Sequence, residues 1–183
     1  MTSISLAKGA RISLEKKGGG ELKKIKMGLG WDPARGDSID LDASCLMISE
    51  DKKLIDQVWF RQKKSKCKSI VHGGDNLTGD GDGDDEVIYV DLSKVSKSVK
   101  YLVFTVNSFR GQTFDEVANA SCRIYDDNDK TIVNYDLSEK GEHTGMLMVS
   151  LYRHGYAWKV RALGEVMSGR VVADMFDAAV LVI

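Results

Sequence analysis

Apolar and polar residues alternate along much of the chain, a pattern that indicates β-strands with one buried face. Residues 23–30 and the segment IDLDASCLMI (39–48) show this alternation. Residues 54–60, 86–92 and 100–109 are rich in β-branched and aromatic side chains, which favour strands. The pattern therefore predicts an all-β protein.

Turn-forming residues separate the remaining strand segments. Asp127, Asn128 and Asp129 predict the tight turn of one hairpin, and His154-Gly155 predicts the turn of another. Many short strands joined by such turns are typical of an antiparallel β-sandwich. We therefore predict an antiparallel β-sandwich.

Helix is predicted only in short segments. FDEVANA (114–120) is expected to form one or two turns. From Arg170 onward the apolar residues fall on one stripe of a helix, so a C-terminal helix is predicted.

Pro33 is the only proline, and no low-complexity spacer interrupts the chain. We therefore predict a single domain over residues 1–183.

The composition is that of an ordinary soluble globular protein, with 43% apolar and 29% charged residues. The net charge of −1 gives no overall field that would favour nucleic acid. No apolar run approaches the roughly 18 residues needed to span a bilayer, and the N-terminal segment lacks the features of a secretory signal. We therefore expect a cytoplasmic protein that binds no nucleic acid and makes at most peripheral contact with a membrane.

The cysteines and the basic segment RQKKSKCKS (61–69) are weaker candidates for function. Cys45, Cys67 and Cys122 lie far apart and form no CxxC pair, which argues against a zinc or dithiol site. The cations of the basic segment could meet an anionic partner, but such runs are more often simply solvated. Neither feature outweighs the acidic segment that follows.

The most unusual segment is GDNLTGDGDGDDE (74–86). Six acids lie between Asp75 and Glu86 with no basic residue among them, in a chain whose net charge is only −1. Like charges this close repel and raise one another's pKa unless a cation neutralises them. Four glycines let the backbone curl and turn its carbonyl oxygens toward such a cation. The segment therefore predicts a cation site.

Calcium fits this segment better than other metals do. It accepts about six to eight oxygen ligands in a flexible geometry, whereas magnesium requires a stricter octahedron. Zinc and copper prefer sulfur or imidazole, and His72 stands alone beside the segment. An EF-hand does not fit, because Asp85 falls where its glycine belongs and Asp91 where its closing glutamate belongs. Calcium at the loop tips of a β-sandwich remains.

Further oxygen donors are available in WDPARGDSIDLDAS (31–44) and in FDEVANA. Asp40 and Asp42 share one face of a predicted strand, about 7 Å apart by the rise per residue, so they could serve one ion or two neighbouring ions. The other donors of these segments are Asp32, Asp37, Glu116 and Asn119. The alternative is that each acidic segment is an ordinary solvated turn.

Several longer motifs together resemble the TerD-type tellurium-resistance and stress-protein family. They are GLGWD, DSIDLDAS, VHGGDNLTGDGDGDDE and TVNSFRGQTFDEVANA, and they follow the order found in that family. SIDLDA, IDQVWFR and FTVNSFRGQ are most similar to the TerZ branch. The resemblance covers about residues 3–182.

The resemblance implies a compact β-sandwich that binds two calcium ions through its acidic motifs. It also implies a cytoplasmic role in resistance to tellurite, other toxic agents and phage, with other proteins of the tellurium-resistance system as partners. No enzymatic reaction is implied. The metal ligands carried over by motif are Asp32, Asp40, Asp42, Asp75, Asn76, Gly79, Asp82, Asp84, Asp85, Glu86 and Glu116.

These observations predict a calcium-binding stress-response protein that acts as a binding or scaffold module. Calcium would clamp several loops and form a docking surface. We expect no enzyme, because no serine or cysteine nucleophile pairs visibly with a histidine. The alternative is a metal-dependent binder or enzyme that uses the cation to hold a nucleotide, a phosphate or another oxyanion.

Overall fold

The computed structural model describes residues 3–15, 19–33, 38–74 and 83–183. Within these ranges it contains twelve strands, one short α-helix and two 3₁₀ segments. The strands are β1 (Ile4–Ser5), β2 (Arg11–Ser13), β3 (Lys24–Pro33), β4 (Leu41–Ile48), β5 (Leu54–Val58), β6 (Ile70–His72), β7 (Glu86–Asp91), β8 (Tyr101–Ser108), β9 (Val117–Tyr125), β10 (Thr131–Asp136), β11 (Gly145–His154) and β12 (Ala157–Met167). The helical elements are the 3₁₀ segments Phe114–Glu116 and Val172–Met175 and the helix α1 (Phe176–Val182).

The strands form two six-stranded sheets. The order in sheet A is β1-β10-β9-β3-β7-β6, and the order in sheet B is β2-β12-β11-β8-β4-β5. Among the described pairings all neighbours are antiparallel except β1 and β10, which run parallel. The predicted all-β sandwich is confirmed.

The main core lies between the two sheets and is filled by the alternating apolar residues of the strands. Met27 and Leu29 of β3 belong to the same buried cluster as Phe104 of β8 and Leu151 of β11. Full burial of one such side chain stabilises the fold by about 1.5–3 kcal/mol. The period-two pattern of the sequence therefore directs residues from both sheets into one core.

A second apolar cluster lies on the outer face of sheet B, beneath the C-terminal helical elements. Val172, Met175 and Ala179 pack there against Leu46 of β4 and Val103 of β8. The predicted C-terminal helix is therefore confirmed, as a 3₁₀ turn followed by α1. In the described ranges no helix is long and apolar enough to cross a membrane.

The turns are found where the sequence predicts them, but one helical prediction is only partly right. Asp129 has a positive φ of 57° in the β9–β10 hairpin, and Gly155 has a φ of 61° between β11 and β12. In FDEVANA only Phe114–Glu116 is helical, because β9 already begins at Val117. Val117 pairs with Pro33 of β3, so sheet pairing overrides the local helical pattern.

Candidate metal centre

The acidic segments of the sequence meet at one end of the sandwich. In sheet A the register places the end of β3 beside the starts of β7 and β9. In sheet B the start of β4 lies beside the end of β8. Asp32, Asp42 and Glu86 therefore occupy neighbouring strand ends, with Asp40 directly before β4 and Glu116 directly before β9.

A buried contact joins the two sheets at this end. The backbone N–H of Ala43 in β4 donates to Glu86 Oε2 of β7 at 2.5 Å. His72 Nε2 lies 3.1 Å from the Ala43 carbonyl oxygen and 3.5 Å from Glu86 Oε2. Glu86 is 1% exposed and His72 3% exposed. The last acid of the run therefore reaches across to the DLDAS segment.

Asp84 instead lies against the outer face of sheet A. Its carboxylate accepts a hydrogen bond from the Tyr125 hydroxyl and pairs with Arg123, whose Nε is 3.3 Å from Asp84 Oδ1. A Cβ placed on Gly28 would lie 2.0 Å from Asp84 Oδ2, so only glycine at that position of β3 allows this approach. Burial, followed by the hydrogen bond and charge of Asp84, raises the pKa of Tyr125 to about 12.

Asp85 lies at the edge of β3, close to other acids. Its Oδ2 accepts the backbone N–H of Trp31 at 2.9 Å. Burial raises the pKa of Asp85, and the negative charges of Asp32 and Asp84 raise it further. The exposed Asp32 accepts a hydrogen bond from the Asn119 side chain at 2.8 Å. A cation bound here would relieve the repulsion that raises this pKa.

Asp40 and Asp42 are almost fully buried, at 4% and 5% exposed. Asp40 Oδ2 lies 3.2 Å from Nε of Arg110, which follows β8 in the chain. Asp42 is the register partner of Asn107 in β8. Both carboxylates have partners within the folded chain, and their oxygens are of the kind that calcium accepts.

The remaining predicted ligands fall into two groups. Glu116 Oε2 accepts the backbone N–H of Thr113 at 2.8 Å and so caps its own 3₁₀ turn. Four predicted ligands lie outside the described residues: Asp75, Asn76, Gly79 and Asp82. The elements that flank the acidic segment are the strands β6 and β7, which agrees with the rejection of an EF-hand.

The donors that the structure describes fit calcium in kind but do not complete a site. Carboxylate, amide and backbone carbonyl oxygens are the ligands that calcium prefers. In the described part of the chain, no three His, Cys, Asp or Glu side chains come close enough to hold a metal ion. Residues 34–37 and 75–82, which carry further oxygen donors in the sequence, lie outside the described residues.

The three cysteines form no disulfide with one another. Cys45 and Cys122 are buried, and burial raises the pKa of both thiols, that of Cys122 to about 12. At Cys67 burial is outweighed by hydrogen bonds to Ser69 and Ser65, which lower its pKa. All three are free thiols.

Comparison with known proteins gives consistent results over nearly the whole chain. A family model described as the TerD domain matches residues 1–177. The chain is 47% identical over 183 residues to the tellurium resistance protein TerZ of Serratia marcescens, with 94% of each chain covered. It is 40% identical to the stress response protein SCP2 of Bacillus subtilis, with 89% of this chain and 92% of that protein covered.

A solved structure shows the same fold. The crystal structure of a homologue of the telluride resistance protein TerD from Streptomyces coelicolor superposes with a TM-score of 0.70 at 21% identity. The superposition covers 85% of this chain and 95% of that one. The sandwich is therefore common to sequences that have diverged widely.

Proposed function

We propose that the protein is a calcium-binding module of the stress response, and the premise is its family: the chain belongs to the TerD family. Its relatives are named for tellurium resistance and for stress response. The module would contribute to resistance to tellurite, other toxic agents and phage. It would act in the cytoplasm by binding or scaffolding and not by catalysis.

The observation that carries the proposal is the meeting of sequence-distant acids at one end of the sandwich. Asp32 and Asp85 are brought together at the end of β3, and their like charges contribute to the raised pKa of Asp85. Asp40 and Asp42 are buried at the start of β4 in the other sheet. Like charges brought together in this way repel one another, and a bound divalent cation would lower that repulsion.

Two calcium ions are proposed, held by side chains of both sheets and by residues 75–82. When bound, calcium would neutralise the carboxylates and hold the surrounding loops in one arrangement. Protein donors contact Asp84, Glu86 and Glu116, as they do other acids of this set, and would hold these carboxylates in place beside the ions. The full proposed set is Asp32, Asp40, Asp42, Asp75, Asn76, Gly79, Asp82, Asp84, Asp85, Glu86 and Glu116.

The loop arrangement fixed by calcium would form the docking surface of the module. Other proteins of the tellurium-resistance system are the proposed partners. A surface that exists only with bound calcium would make their binding calcium-dependent. Pull-down of these proteins in calcium and in chelator therefore tests the scaffold role separately from ion binding.

Calorimetry of protein stripped with chelator tests calcium binding directly. An ion that binds the folded protein stabilises it by about 2.7 kcal/mol at 100 times its dissociation constant. For a chain of this size we expect the melting temperature to rise by roughly 5–10 °C. Asp75→Asn combined with Asp84→Asn should remove most of this rise. Asp177→Asn, at an exposed position of α1, is the control and should keep it.

An unchanged melting temperature at millimolar calcium would contradict the proposal.

A different candidate function rests on Arg110, whose half-exposed guanidinium lies beside Asp40 at the same end. With calcium bound, this guanidinium could help hold a nucleotide, a phosphate or another oxyanion. Titration of calcium-loaded protein with ATP, phosphate and tellurite distinguishes this function, because a pure scaffold would release no heat of binding.

A further inference from the structure

Two arginines lie directly opposite each other on the outer face of sheet B. Arg161 of β12 is the register partner of Arg11 in β2 and, on its other side, of Ser150 in β11. Register partners place their side chains on the same face of a sheet. This face is the outer one, because Arg161 bonds the end of α1. Like charges paired across strands in this way destabilise a sheet.

A third cation lies beside this pair. Lys159 precedes Arg161 by two residues in β12 and therefore shares its face of the sheet. In the described ranges none of these three cations forms an ion pair with a carboxylate. The nearby carbonyl oxygen of Ile183 accepts from Lys52 instead. This part of sheet B therefore carries positive charge that would attract an anion.

The two arginines line a cavity of about 170 Å³. This volume is several times the roughly 30 Å³ that one water molecule occupies in the liquid. Tyr101 and Tyr152, which are register partners, lie in the same wall. Guanidinium and hydroxyl groups are hydrogen-bond donors, so the cavity suits a small oxyanion. Its complete lining is Arg11, Tyr101, Ser150, Tyr152, Arg161 and Ile183.

Arg161 is held in place before any ligand binds. Its Nη1 donates to the carbonyl oxygen of Val182, the last residue of α1, at 2.8 Å. Its Nε is buried, and no described residue accepts a hydrogen bond from it. A buried donor without an acceptor is costly. An oxyanion bound against this guanidinium would relieve that cost and could accept two parallel hydrogen bonds from it.

We propose that this cavity binds a phosphate group, either as free phosphate or as a small phosphate monoester, through Arg11 and Arg161. A phosphate monoester offers up to two negative charges and three acceptor oxygens, which match two cations and the neighbouring hydroxyls. A carboxylate offers one charge and two oxygens, so it would leave one arginine without a partner. We call the cavity the anion site.

The anion site is separate from the candidate metal centre. Tyr101 is the first residue of β8, whereas Asp42 pairs with Asn107 near the end of that strand. Arg110, the other candidate for an oxyanion, follows the end of β8. Binding at the anion site therefore requires no calcium and does not depend on the function proposed above.

Titration calorimetry in chelator, with sodium phosphate and with glycerol 3-phosphate, tests the anion site without a calcium-dependent contribution. Arg11→Gln and Arg161→Gln should each weaken binding roughly 10–100-fold, because each removes a charged hydrogen-bond donor. Arg61→Gln is the matched control, since it makes the same charge change at an exposed position between β5 and β6. This variant should bind both probes as the wild type does.

Arg11→Gln keeps the test decisive even if Arg161→Gln loses its bond to α1 and does not fold, because Arg11 is exposed. In buffer without phosphate, Arg11→Gln should raise the melting temperature, since it removes one of two opposed like charges. Phosphate should raise the melting temperature of the wild type more than that of this variant.

The two probes also identify the source of the phosphate group. Tighter binding of glycerol 3-phosphate supports a phosphorylated metabolite, and equal binding of both supports free phosphate. The absence of heat with both probes overturns the proposal. Wild-type affinity in Arg11→Gln also overturns it, as does an equal loss in Arg61→Gln, because binding would then follow net charge and not this cavity.

Discussion

Because Gly28 has no side chain, Asp84 of the acidic segment can lie close against sheet A. The carboxylate of Asp84 occupies the space where any other residue would place its Cβ. In this position Asp84 contacts both Arg123 and Tyr125. The pair with Arg123 is mostly removed from solvent, so its geometry matters more than that of a surface pair.

We expect Gly28→Ala to destabilise the protein even though alanine usually suits a strand better than glycine does. The new Cβ displaces the Asp84 carboxylate from Arg123 and Tyr125, at a cost of roughly 1–3 kcal/mol. Urea denaturation in chelator measures this change. Asp84→Ala removes the clashing carboxylate, so Gly28→Ala should cost much less in that background. An equal cost in both backgrounds would show that Asp84 is not the cause.

Some residues at this end of the sandwich could be predicted from the sequence, whereas others could not. The acidic segments 31–44 and 74–86 are visible by their charge, so Asp32, Asp40 and Asp85 could be named as candidates without a structure. The partners Arg123 and His72 could not be chosen, because their roles depend on contacts between strands far apart in the chain. GLGWD was visible as a motif, but the reason for its first glycine lies in the close approach of Asp84.

The C-terminal helical elements cover apolar residues on the outer face of sheet B. Met175 is fully buried on the outer face of sheet B, in the cluster that contains Leu46 and Leu147. The stripe of apolar residues predicts a helix but does not tell which surface it covers. That surface follows from the apolar outward residues of β4 and β8, which would otherwise be exposed.

Met175→Ala should lower the free energy of unfolding by about 2–4 kcal/mol, because it leaves a cavity between the helix and the sheet. Leu181, also in the C-terminal region, is 84% exposed. Leu181→Ala is therefore the matched control, with an expected effect within about 0.5 kcal/mol. Chemical denaturation followed by tryptophan fluorescence measures both. Similar effects of the two variants would contradict the packing described here.

The strands were more predictable than the first short helical segment, for a physical reason. Alternation of apolar residues is visible at the start of β4, and β-branched and aromatic residues mark β8, without knowledge of their partners. At FDEVANA (114–120) the local pattern favours a helix, but pairing of Val117 with Pro33 draws the second half into β9. Nonlocal pairing of this kind cannot be read from one segment alone.

For the whole molecule, the main consequence is that the proposed calcium site belongs to both sheets. Asp32 and Asp85 come from sheet A, whereas Asp42 comes from sheet B. The contact between Ala43 and Glu86 links the sheets at the same end. Calcium binding should therefore stabilise the two sheets together and not a single loop.

Native-state amide exchange tests this coupling. At calcium 100 times above its dissociation constant, the slowest amides of β9 in sheet A and of β11 in sheet B should both gain about 2.7 kcal/mol of protection. The equal gain is expected because both sets exchange only when the whole sandwich opens. Asp32→Asn combined with Asp75→Asn should abolish the gain in both strands. Protection that rises in β9 but not in β11 would contradict the coupling, since the ion would then hold sheet A alone.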